Sequence, residues 1–424
     1  MDNTAIKELN MLALEEENKK EILFTSGDPI AERLWYIALD DVDRNYCIDT
    51  EYGRVFAAGG YNAHKNWDGL TFNRDTSYSG LLGLNLIRPK EMLTSMKAIR
   101  ECRKKLGFCC IKNMALHGVP NVKVYDMPLV EFKKIFHKAS SINKTDDVIW
   151  LWCAYDLLMK NDFHEWEWLY ENGRECFERF YDCFFDEHDG LYFGQPTFID
   201  VGSNGYPESF GYKTEEAMNN GVWVKASSTN SLYYKGLCIM AEAAEKLGKC
   251  EDADAWRKKA EALKAAVLNG LRFEDGRFAY FKHKCGKLEE RQEILGSAFP
   301  VLCGIAEEDD AKAAIKNYPV TAFGAPLIYP YFENDLVLHN NSMWPFADTF
   351  LLLAVEKALD VDLTELNLQI LKNDTVRGHM GEFRNARTNE MMGASAQLWS
   401  IAAYINTCVR AGMTELDKES VKIN

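Results

Sequence analysis

Residues 226–247 read ASSTNSLYYKGLCIMAEAAEKL, and their apolar side chains recur at spacings of three and four residues. This period is that of an amphipathic helix, in which such residues share one face. Ser227, Ser228 and Thr229 are typical helix-starting residues, and Gly248, directly after the last turn, is a helix-stopping residue. The stretch therefore predicts a long helix with a defined beginning and end.

The same pattern extends over most of the chain and predicts about twelve helices. Further long helices are expected where the period is sustained, at 88–106, 146–160, 162–186, 250–271, 343–360 and 394–411. Shorter helices are expected at 29–46, 74–86, 294–305, 308–317 and 363–373. Strands are expected to be few, the best candidates being 277–281 and 122–125. The sequence therefore predicts an all-α fold.

Long loops rich in aromatic residues and glycine separate these helices. They are expected at 48–73, 107–144, 187–225, 274–293, 318–342 and 374–393. Loops longer than ~12–15 residues are usually functional or disordered, and aromatic residues disfavour disorder. The loops recur after roughly every second helix, which is typical of helical hairpins whose loops gather on one face. We expect one domain over 26–412, a helical appendage at 1–25 and a tail at 413–424.

The composition of the chain indicates which kinds of molecule it does not bind. The chain has 424 residues, 47% of them hydrophobic, and 49 basic against 64 acidic residues, which gives a net charge of −15. Such a chain repels phosphate backbones and anionic lipids, so we expect neither a nucleic acid nor a membrane as partner. The twelve cysteines form no Cys-x-x-Cys pair, and the start lacks a signal-peptide pattern, so a cytoplasmic location is expected.

The loop over residues 66–78 combines the groups that bind sugars. It offers an aromatic face, two carboxylates and a guanidinium, carried by Trp67, Asp68, Arg74, Asp75 and Tyr78. A flat apolar surface suits the C–H face of a sugar ring, and bidentate polar groups suit neighbouring hydroxyls. The alternative is structural, with Asn73 and Asp75 capping the next helix and Arg74 in an ion pair.

Two carboxylates further along the chain are candidates for acid–base chemistry. Asp200 follows the apolar Phe198 and Ile199, and apolar surroundings raise the pKa of a carboxyl, as a general acid requires. The alternatives are a turn-forming aspartate and, as local competitor, Glu208. Glu382 lies in a glycine-containing loop with aromatic and amide neighbours, where it could activate a water. The alternative for Glu382 is an ordinary surface glutamate.

Two helix starts supply supporting candidates. Asp146 and Asp147 open the helix predicted at 146–160, where either sugar binding or the helix dipole explains them. His339, Asn340 and Trp344 precede another helix, and there Asn341 or Ser342 could be the cap. The eight histidines form no His-x-x-x-His pair, and no phosphate-binding or Gly-x-Ser-x-Gly motif occurs, so we expect neither a metal nor a cofactor. A pair of carboxylates in an aromatic cleft is the apparatus of glycoside hydrolysis.

At these loops the sequence resembles the six-hairpin glycosidases, specifically the trehalase and processing α-glucosidase (glucosidase I-like) group. Trp67-Asp68 with Arg74-Asp75 is similar to the early loop of their sugar subsite. Thr197-Phe198-Ile199-Asp200 is similar in position to their Ser-Gly-(Trp/Met)-Asp acid motif, with Ser-Gly replaced. The segment that carries the base in those enzymes is matched by Glu382, Asn385, Gly393, Gln397, Trp399 and Ser400. Trp223 and Asn230 fall where such enzymes have a cleft loop and an inner helix.

The resemblance implies an (α/α)6 barrel and an inverting, exo-acting hydrolysis of α-linked oligosaccharides, of glucosidase or mannosidase type. Asp200 would be the general acid and Glu382 the general base, with their carboxyls ~6.5–9.5 Å apart. The terminal sugar would be held by Asp75, Arg74, Trp67, Asp146 and Trp344.

Two other classes stay open. The same toroid hosts sugar epimerases, which would need His339 and His379 to face one another, and unsaturated-uronide hydrolases, which would need a positive pocket. The other class is a non-catalytic carbohydrate-binding scaffold, in which the loop carboxylates would diverge or be paired in salt bridges.

Overall fold

The computed structural model describes residues 22–59, 71–106, 145–199, 224–333 and 337–423. These ranges are mainly helical, as predicted. The helices are α1 Pro29–Asn45, α2 Asn73–Ser79, α3 Asn85–Ile87, α4 Pro89–Leu106, α5 Asp146–Lys160, α6 Trp166–Phe184, α7 Ser227–Lys246, α8 Cys250–Gly270, α9 Ile294–Leu302, α10 Glu308–Ala314, α11 Pro345–Leu359, α12 Thr364–Asn373 and α13 Leu398–Arg410. A π-helical turn, Gly80–Leu84, joins α2 to α3, and a 3-10 turn covers Lys418–Val421.

The helices contact each other in a closed order. Among the described residues α2 packs on α5, α5 on α7, α7 on α9, α9 on α11, α11 on α13, and α13 on α2 again. We call these six the ring helices. The helices between them in sequence, α1, α4, α6, α8, α10 and α12, each pack on one or two ring helices. The chain therefore alternates between ring and flanking helices, which is the hairpin organisation expected from the loop spacing.

The helix predicted at 74–86 is interrupted where it meets the last ring helix. Gly83 in the π-helical turn has φ +154°, and a Cβ there would lie 3.2 Å from Ile405 Cγ2 and 3.3 Å from the Ala402 carbonyl of α13. A larger residue would push the two helices apart, so glycine permits this close approach. The interruption thus lies at the point where the ring closes.

Short antiparallel strands connect the helices. They are β1 Ile48–Thr50, β2 Gly53–Val55, β3 Phe185–Asp186, β4 Leu191–Tyr192, β5 Lys225–Ala226, β6 Phe281–Lys282, β7 Gln292–Glu293, β8 Ile328–Tyr329, β9 Ser342–Met343, β10 Thr375–Val376, β11 His379–Asn385 and β12 Met391–Ser395. The first eight form two-stranded pairs in sequence order, and β11 pairs with β9, β10 and β12. Of the strand predicted at 277–281 only Phe281 is in a strand, and 122–125 lies outside the described residues.

The prediction of a loop over 374–393 is wrong. The segment forms strands β10 and β11 and the start of β12, with Gly381 opposite Ser395 and Phe383 opposite Met392. The helix predicted from residue 394 begins only at Leu398, because β12 runs to Ser395. Residues Met380 to Arg384 are all buried, so β11 lacks the alternation of polar and apolar residues that marks a half-buried strand.

The chain ends described by the structure pack on the helices. Phe24 bridges Thr414, and the Thr25 amide donates to the Met413 carbonyl at 2.7 Å. Of the appendage predicted at 1–25, residues 1–21 lie outside the described residues, and 22–25 are extended rather than helical. Within the described ranges, none of the helices has both the length and the apolar character needed to cross a bilayer.

Candidate active site

The beginnings of the ring helices are joined to each other by polar side chains. The side-chain amide of Asn73, at the start of α2, donates to the backbone carbonyl of Asp146, at the start of α5, at 2.6 Å. Gln397, the residue before α13, donates to Asp75 Oδ1 at 3.3 Å. Residues at the beginnings of three ring helices therefore lie together at one end of the ring.

The segment Thr197 to Ile199 also lies at this end. The Thr197 amide donates to Ser228 Oγ at the start of α7 at 3.2 Å, and its hydroxyl lies 2.7 Å from that of Thr145. Phe198 and Ile199 are buried, as the sequence suggested for the residues before Asp200. Asp200 itself lies outside the described residues, so its distance from Glu382 stays a prediction.

Aromatic side chains surround Phe198. Its ring centroid lies 4.6 Å from that of Trp344, 5.0 Å from Phe346 and 5.5 Å from Trp399. Trp344 in turn stacks on Phe383 at 4.7 Å. This aromatic wall therefore continues from the residues before Asp200 to the residue next to Glu382.

Glu382 is held on strand β11 with its side chain against the facing strand. It is 5% exposed, and the Ala394 amide donates to Oε2 at 2.7 Å. Gly393 has φ +77°, and a Cβ there would overlap Oε2 and lie 2.8 Å from Glu382 Cβ and Cδ. A hydrogen bond to a carboxylate favours its charged form, which is the form that a general base needs.

Asp75 and Arg74 begin the first ring helix. Asp75 is 5% exposed, and it does not cap α2, since the residue before the helix is Phe72 and makes no side-chain cap. Arg74 donates from Nη1 to the carbonyls of Phe198 at 3.3 Å and Thr197 at 3.5 Å, and its guanidinium lies 5.4 Å from the centre of the Phe198 ring. A guanidinium and a carboxylate thus accompany the aromatic wall.

Three predicted sugar ligands have bonds to other parts of the protein. The Asn230 amide is fully buried and bonds to the backbone of Tyr192 and Ala226. Asn340 bonds in the same way to both backbone groups of Phe332. Asp147 pairs with Arg100 of the flanking helix α4 at 3.4 Å. Their polar atoms satisfy buried backbone groups or a buried charge, and a sugar-binding role for these three residues stays a prediction.

The other predicted sugar ligands either lie near this end of the ring or fall outside the described residues. Tyr78 is fully buried, and its hydroxyl lies 3.0 Å from Thr197 Oγ1, so it supports the segment at Thr197, and its role in sugar binding stays a prediction. Asp146 and His339 are buried near this end, with His339 5.2 Å from the Phe198 ring. The predicted ligands that lie outside the described residues are Trp67, Asp68 and Trp223.

The two histidines of the epimerase alternative contact different parts of the molecule. His379 Nδ1 lies 2.9 Å from Asp41 Oδ2 on the flanking helix α1, and this carboxylate raises the pKa of His379. His339 instead stacks on Trp344. Among the described residues, no group of three His, Cys, Asp or Glu side chains is arranged to hold a metal ion.

Sequence reasoning missed Glu293, which ends strand β7 and is the residue directly before α9. It is 1% exposed, and its carboxylate accepts from the Leu295 and Gly296 amides at 3.0 and 2.6 Å. Burial raises the pKa of this carboxyl to about 7. An acid directly before a predicted helix is a possible cap, and that was the signal available in the sequence.

Residues 166–400 match the family model of the mannosylglycerate hydrolase MGH1-like glycoside hydrolase domain. The chain belongs to this family of glycoside hydrolases. The match covers more than half of the chain and includes Glu382, the aromatic wall and Glu293. No curated protein sequence matches the chain.

Solved structures share the fold at low sequence identity. The GH78 rhamnosidase of Bacillus sp. GL1 matches 92% of the chain with 13% identity and a TM-score of 0.58, and a sialidase matches 94% with 15% identity and a TM-score of 0.63. The chain spans only 36% and 35% of these two proteins. The GH63 mannosylglycerate hydrolase of Thermus thermophilus, solved with glucose, matches 88% of the chain over 99% of its own length, with 12% identity and a TM-score of 0.56.

Proposed function

We propose that this glycoside hydrolase is an inverting, exo-acting enzyme that removes the terminal sugar from α-linked oligosaccharides or small α-glycosides. The observation that carries the proposal is the buried Glu382 carboxylate, which is held beside an aromatic wall that extends to the residues before Asp200. Glycoside hydrolysis needs two carboxyl groups that flank one glycosidic bond. Glu382 supplies one of them, and Asp200 is our candidate for the other.

We infer further that the six ring helices are the inner wall of an (α/α)6 barrel. The closed order of their contacts and the alternation with flanking helices support this fold. The beginnings of the ring helices then form the floor of the substrate cleft. Polar first-turn residues there face a substrate with their helix dipoles behind them.

In the proposed mechanism, Asp200 donates a proton to the glycosidic oxygen while Glu382 takes a proton from the attacking water. The Ala394 amide stabilises the ionised Glu382, as the water-activating step requires. Inversion demands room for that water, so the two carboxyls are expected ~6.5–9.5 Å apart.

Asp75, Arg74 and Trp344 form the proposed sugar subsite. The carboxylate and the guanidinium suit neighbouring hydroxyls, and an aromatic side chain suits the C–H face of the ring. Gln397 fixes Asp75 from the last ring helix, so the first and last helices both contribute. Asp146, at the start of α5, is the next group along this floor.

Mannosylglycerate is one substrate to test, because the family model and the Thermus neighbour both carry that name. Its glycerate carboxylate would find a cationic group in Arg74. Trehalose and short α-glucosides and α-mannosides are the others, since the trehalase and processing α-glucosidase group stays a prediction. The epimerase alternative is not favoured, because His379 is held at Asp41, away from the stack of His339 on Trp344.

The test is sugar release from a panel of α- and β-linked substrates that includes mannosylglycerate and unsaturated uronides. We expect wild-type activity to fall by ~10²–10⁴ in Asp200→Asn and in Glu382→Gln. Glu390→Gln is the matched control, because Glu390 is exposed in the turn of the same hairpin. NMR identifies the anomer of the sugar that is released first. We expect its configuration to be opposite to that of the glycosidic bond in the substrate.

Activity that survives both substitutions would move the chemistry to other residues. Release of a sugar with the same anomeric configuration as the substrate would contradict the inverting mechanism, but the assignment as a glycoside hydrolase would stand. Binding of the sugars without release would favour the non-catalytic scaffold.

A further inference from the structure

The flanking helix α1 contacts the hairpin of β11 and β12 through one of its faces. Ile37, Asp41 and Asn45 are spaced four residues apart, so their side chains lie on the same side of α1. All three are buried. Each of them meets a different point of the segment 378–396, which contains Glu382. Helix α1 therefore packs against the strand that bears the candidate base.

The contacts of Ile37 and Asp41 are at the beginning of β11. His379 Nδ1 lies 3.0 Å from Asp41 Oδ1 and 2.9 Å from Asp41 Oδ2, so one ring nitrogen faces both carboxylate oxygens. The preceding residue, Gly378, has φ +88°, and a Cβ there would lie 3.4 Å from Ile37 Cδ1. The start of β11 is thus held by a polar and an apolar contact, three residues before Glu382.

The contact of Asn45 is just past the end of β12. Its side-chain amide donates to the Ala396 carbonyl at 2.9 Å. Ala396 has φ +54°, a left-handed conformation that costs energy for any residue with a Cβ, so bonds are needed to hold this turn. The next residue, Gln397, donates from its backbone amide to the Met380 carbonyl of β11 at 3.0 Å and from its side chain to Asp75. Asn45 therefore supports the turn that connects β12 to the proposed sugar subsite.

These contacts lie on either side of the hydrogen bond that orients Glu382. The Ala394 amide of β12 donates to Glu382 Oε2 at 2.7 Å, which joins the two strands. His379 lies three residues before the acceptor on β11, and Ala396 lies two residues after the donor. A shift of either strand against α1 would therefore change the direction of the Glu382 carboxylate.

We propose that Asp41 and Asn45 are positioning residues, which tie the two strands of the hairpin to α1 so that the Glu382 carboxylate keeps one direction. The catalytic part of this inference rests on the proposed function. Neither residue belongs to a ring helix, so the flanking helix supports the site from outside the ring. A misplacement of about 1 Å costs up to ~10²-fold in rate, and a loosened hairpin would allow such a displacement.

The first test needs no substrate. Backbone amide exchange over residues 379–397 is measured by mass spectrometry in wild type, His379→Leu and Asn45→Ala. We expect exchange in this segment to be at least ~10-fold faster in both variants, because each removes one bond between the hairpin and α1. Asn406→Ala is the matched control, since Asn406 is also fully buried and donates from its side-chain amide to a carbonyl, that of Val421.

The second test is kinetic and separates positioning from stability. His379→Leu and Asn45→Ala should lower kcat ~10-fold with KM nearly unchanged, because Glu382 acts on the attacking water in the transition state. Asn406→Ala should lose about as much thermal stability as Asn45→Ala and keep the wild-type kcat. His379→Asn retains a donor near the position of Nδ1, so its kcat should lie closer to wild type than that of His379→Leu.

Unchanged exchange in His379→Leu would overturn the role of Asp41, and unchanged exchange in Asn45→Ala would overturn that of Asn45. Faster exchange with a wild-type kcat would overturn the catalytic part of the proposal. So would a loss of kcat that Asn406→Ala shares, because that loss would follow from stability alone.

Loss of activity in Asp200→Asn and Glu382→Gln tests the proposed function separately. If wild type releases no sugar, the catalytic part of this inference falls with the proposed function. The exchange measurement then decides alone whether α1 holds the hairpin.

Discussion

The two sides of the candidate active site are held by different kinds of bond. Glu382 lies on a strand that pairs with three others, so its position is set by a backbone ladder and by the Arg384–Asp374 pair behind it. Thr197 has side-chain partners from the ring helices and is not in a strand. We therefore expect substitutions around Glu382 to lower the stability of the protein. Substitutions of single hydroxyl groups around Thr197 should instead loosen that segment with little loss of stability.

Arg384→Met should produce the largest loss of stability on the Glu382 side. Arg384 bonds to Asp374 Oδ1 through Nε at 2.8 Å and Nη2 at 2.7 Å, and both side chains are buried. Removal of one partner leaves a buried charge, which costs about 3–5 kcal/mol of unfolding free energy. Urea denaturation at pH 8 measures the loss.

The same variant should be less damaged at low pH. Burial raises the pKa of Asp374 to about 7 in spite of Arg384, so without Arg384 the carboxyl binds a proton readily below that pH. The difference from wild type should therefore shrink between pH 8 and pH 5. An equal loss at both pH values would show that the ion pair does not anchor the hairpin.

Gly393→Ala should reduce activity by displacing Glu382. The new Cβ would overlap Oε2 of that carboxylate, so we expect kcat to fall about 100-fold. Gly412→Ala is the control, because Gly412 has φ +66° and open space around it. Both variants should lose about 1–2 kcal/mol through left-handed backbone strain, and only Gly393→Ala should lose activity. Equal kcat values in the two variants would count against Glu382 as the base.

The helices could be predicted from the sequence because their signals are local. The 146–160 helix is confirmed at both ends, since its period and its start residues lie within the helix itself. Strand β11 could not be predicted in this way. Its partner β9 lies about forty residues earlier in the chain, and both of its faces are covered, so no alternation marks it.

Site residues are harder to predict because neighbours in sequence face different ways. Asp146 lies near Tyr78 at the end of the ring, whereas Asp147, the next residue, pairs with Arg100 outside it. Both follow the same start signal, and only the packing of α4 against α5 separates them. Asn230 shows the same limit, because its side-chain amide bonds to the backbone of Tyr192 in strand β4, which lies 38 residues earlier.

Asp348→Asn should flatten the pH dependence of stability. Asp348 accepts from the Ala325 amide at 2.8 Å, its other oxygen has no hydrogen-bond partner among the described residues, and burial raises its pKa well above the usual range. The folded chain therefore holds a proton that the unfolded chain releases above ~pH 4. The contribution of Asp348 to stability is therefore fully present below that pH and declines above it by at most ~1.4 kcal/mol per pH unit.

Urea denaturation at pH 5, 6 and 7 measures the slope in wild type and variant. The asparagine keeps an acceptor for the Ala325 amide and carries no titrating proton. The decline of the unfolding free energy with rising pH should therefore be smaller in the variant than in wild type. Parallel slopes would show that Asp348 is already ionised in the folded protein.

Tyr78→Phe should have the smallest effect on stability and should sharpen the contrast between the two sides. It removes one hydroxyl from the set around Thr197 and costs about 1 kcal/mol. Tyr404→Phe is the control, because its buried hydroxyl donates to the Ala31 carbonyl at 2.7 Å, far along the chain from Thr197. The two variants should lose similar stability, while only Tyr78→Phe speeds amide exchange over 194–199. If both leave that exchange unchanged, the support of Thr197 does not depend on single hydroxyls, and the contrast with the strand-held Glu382 fails.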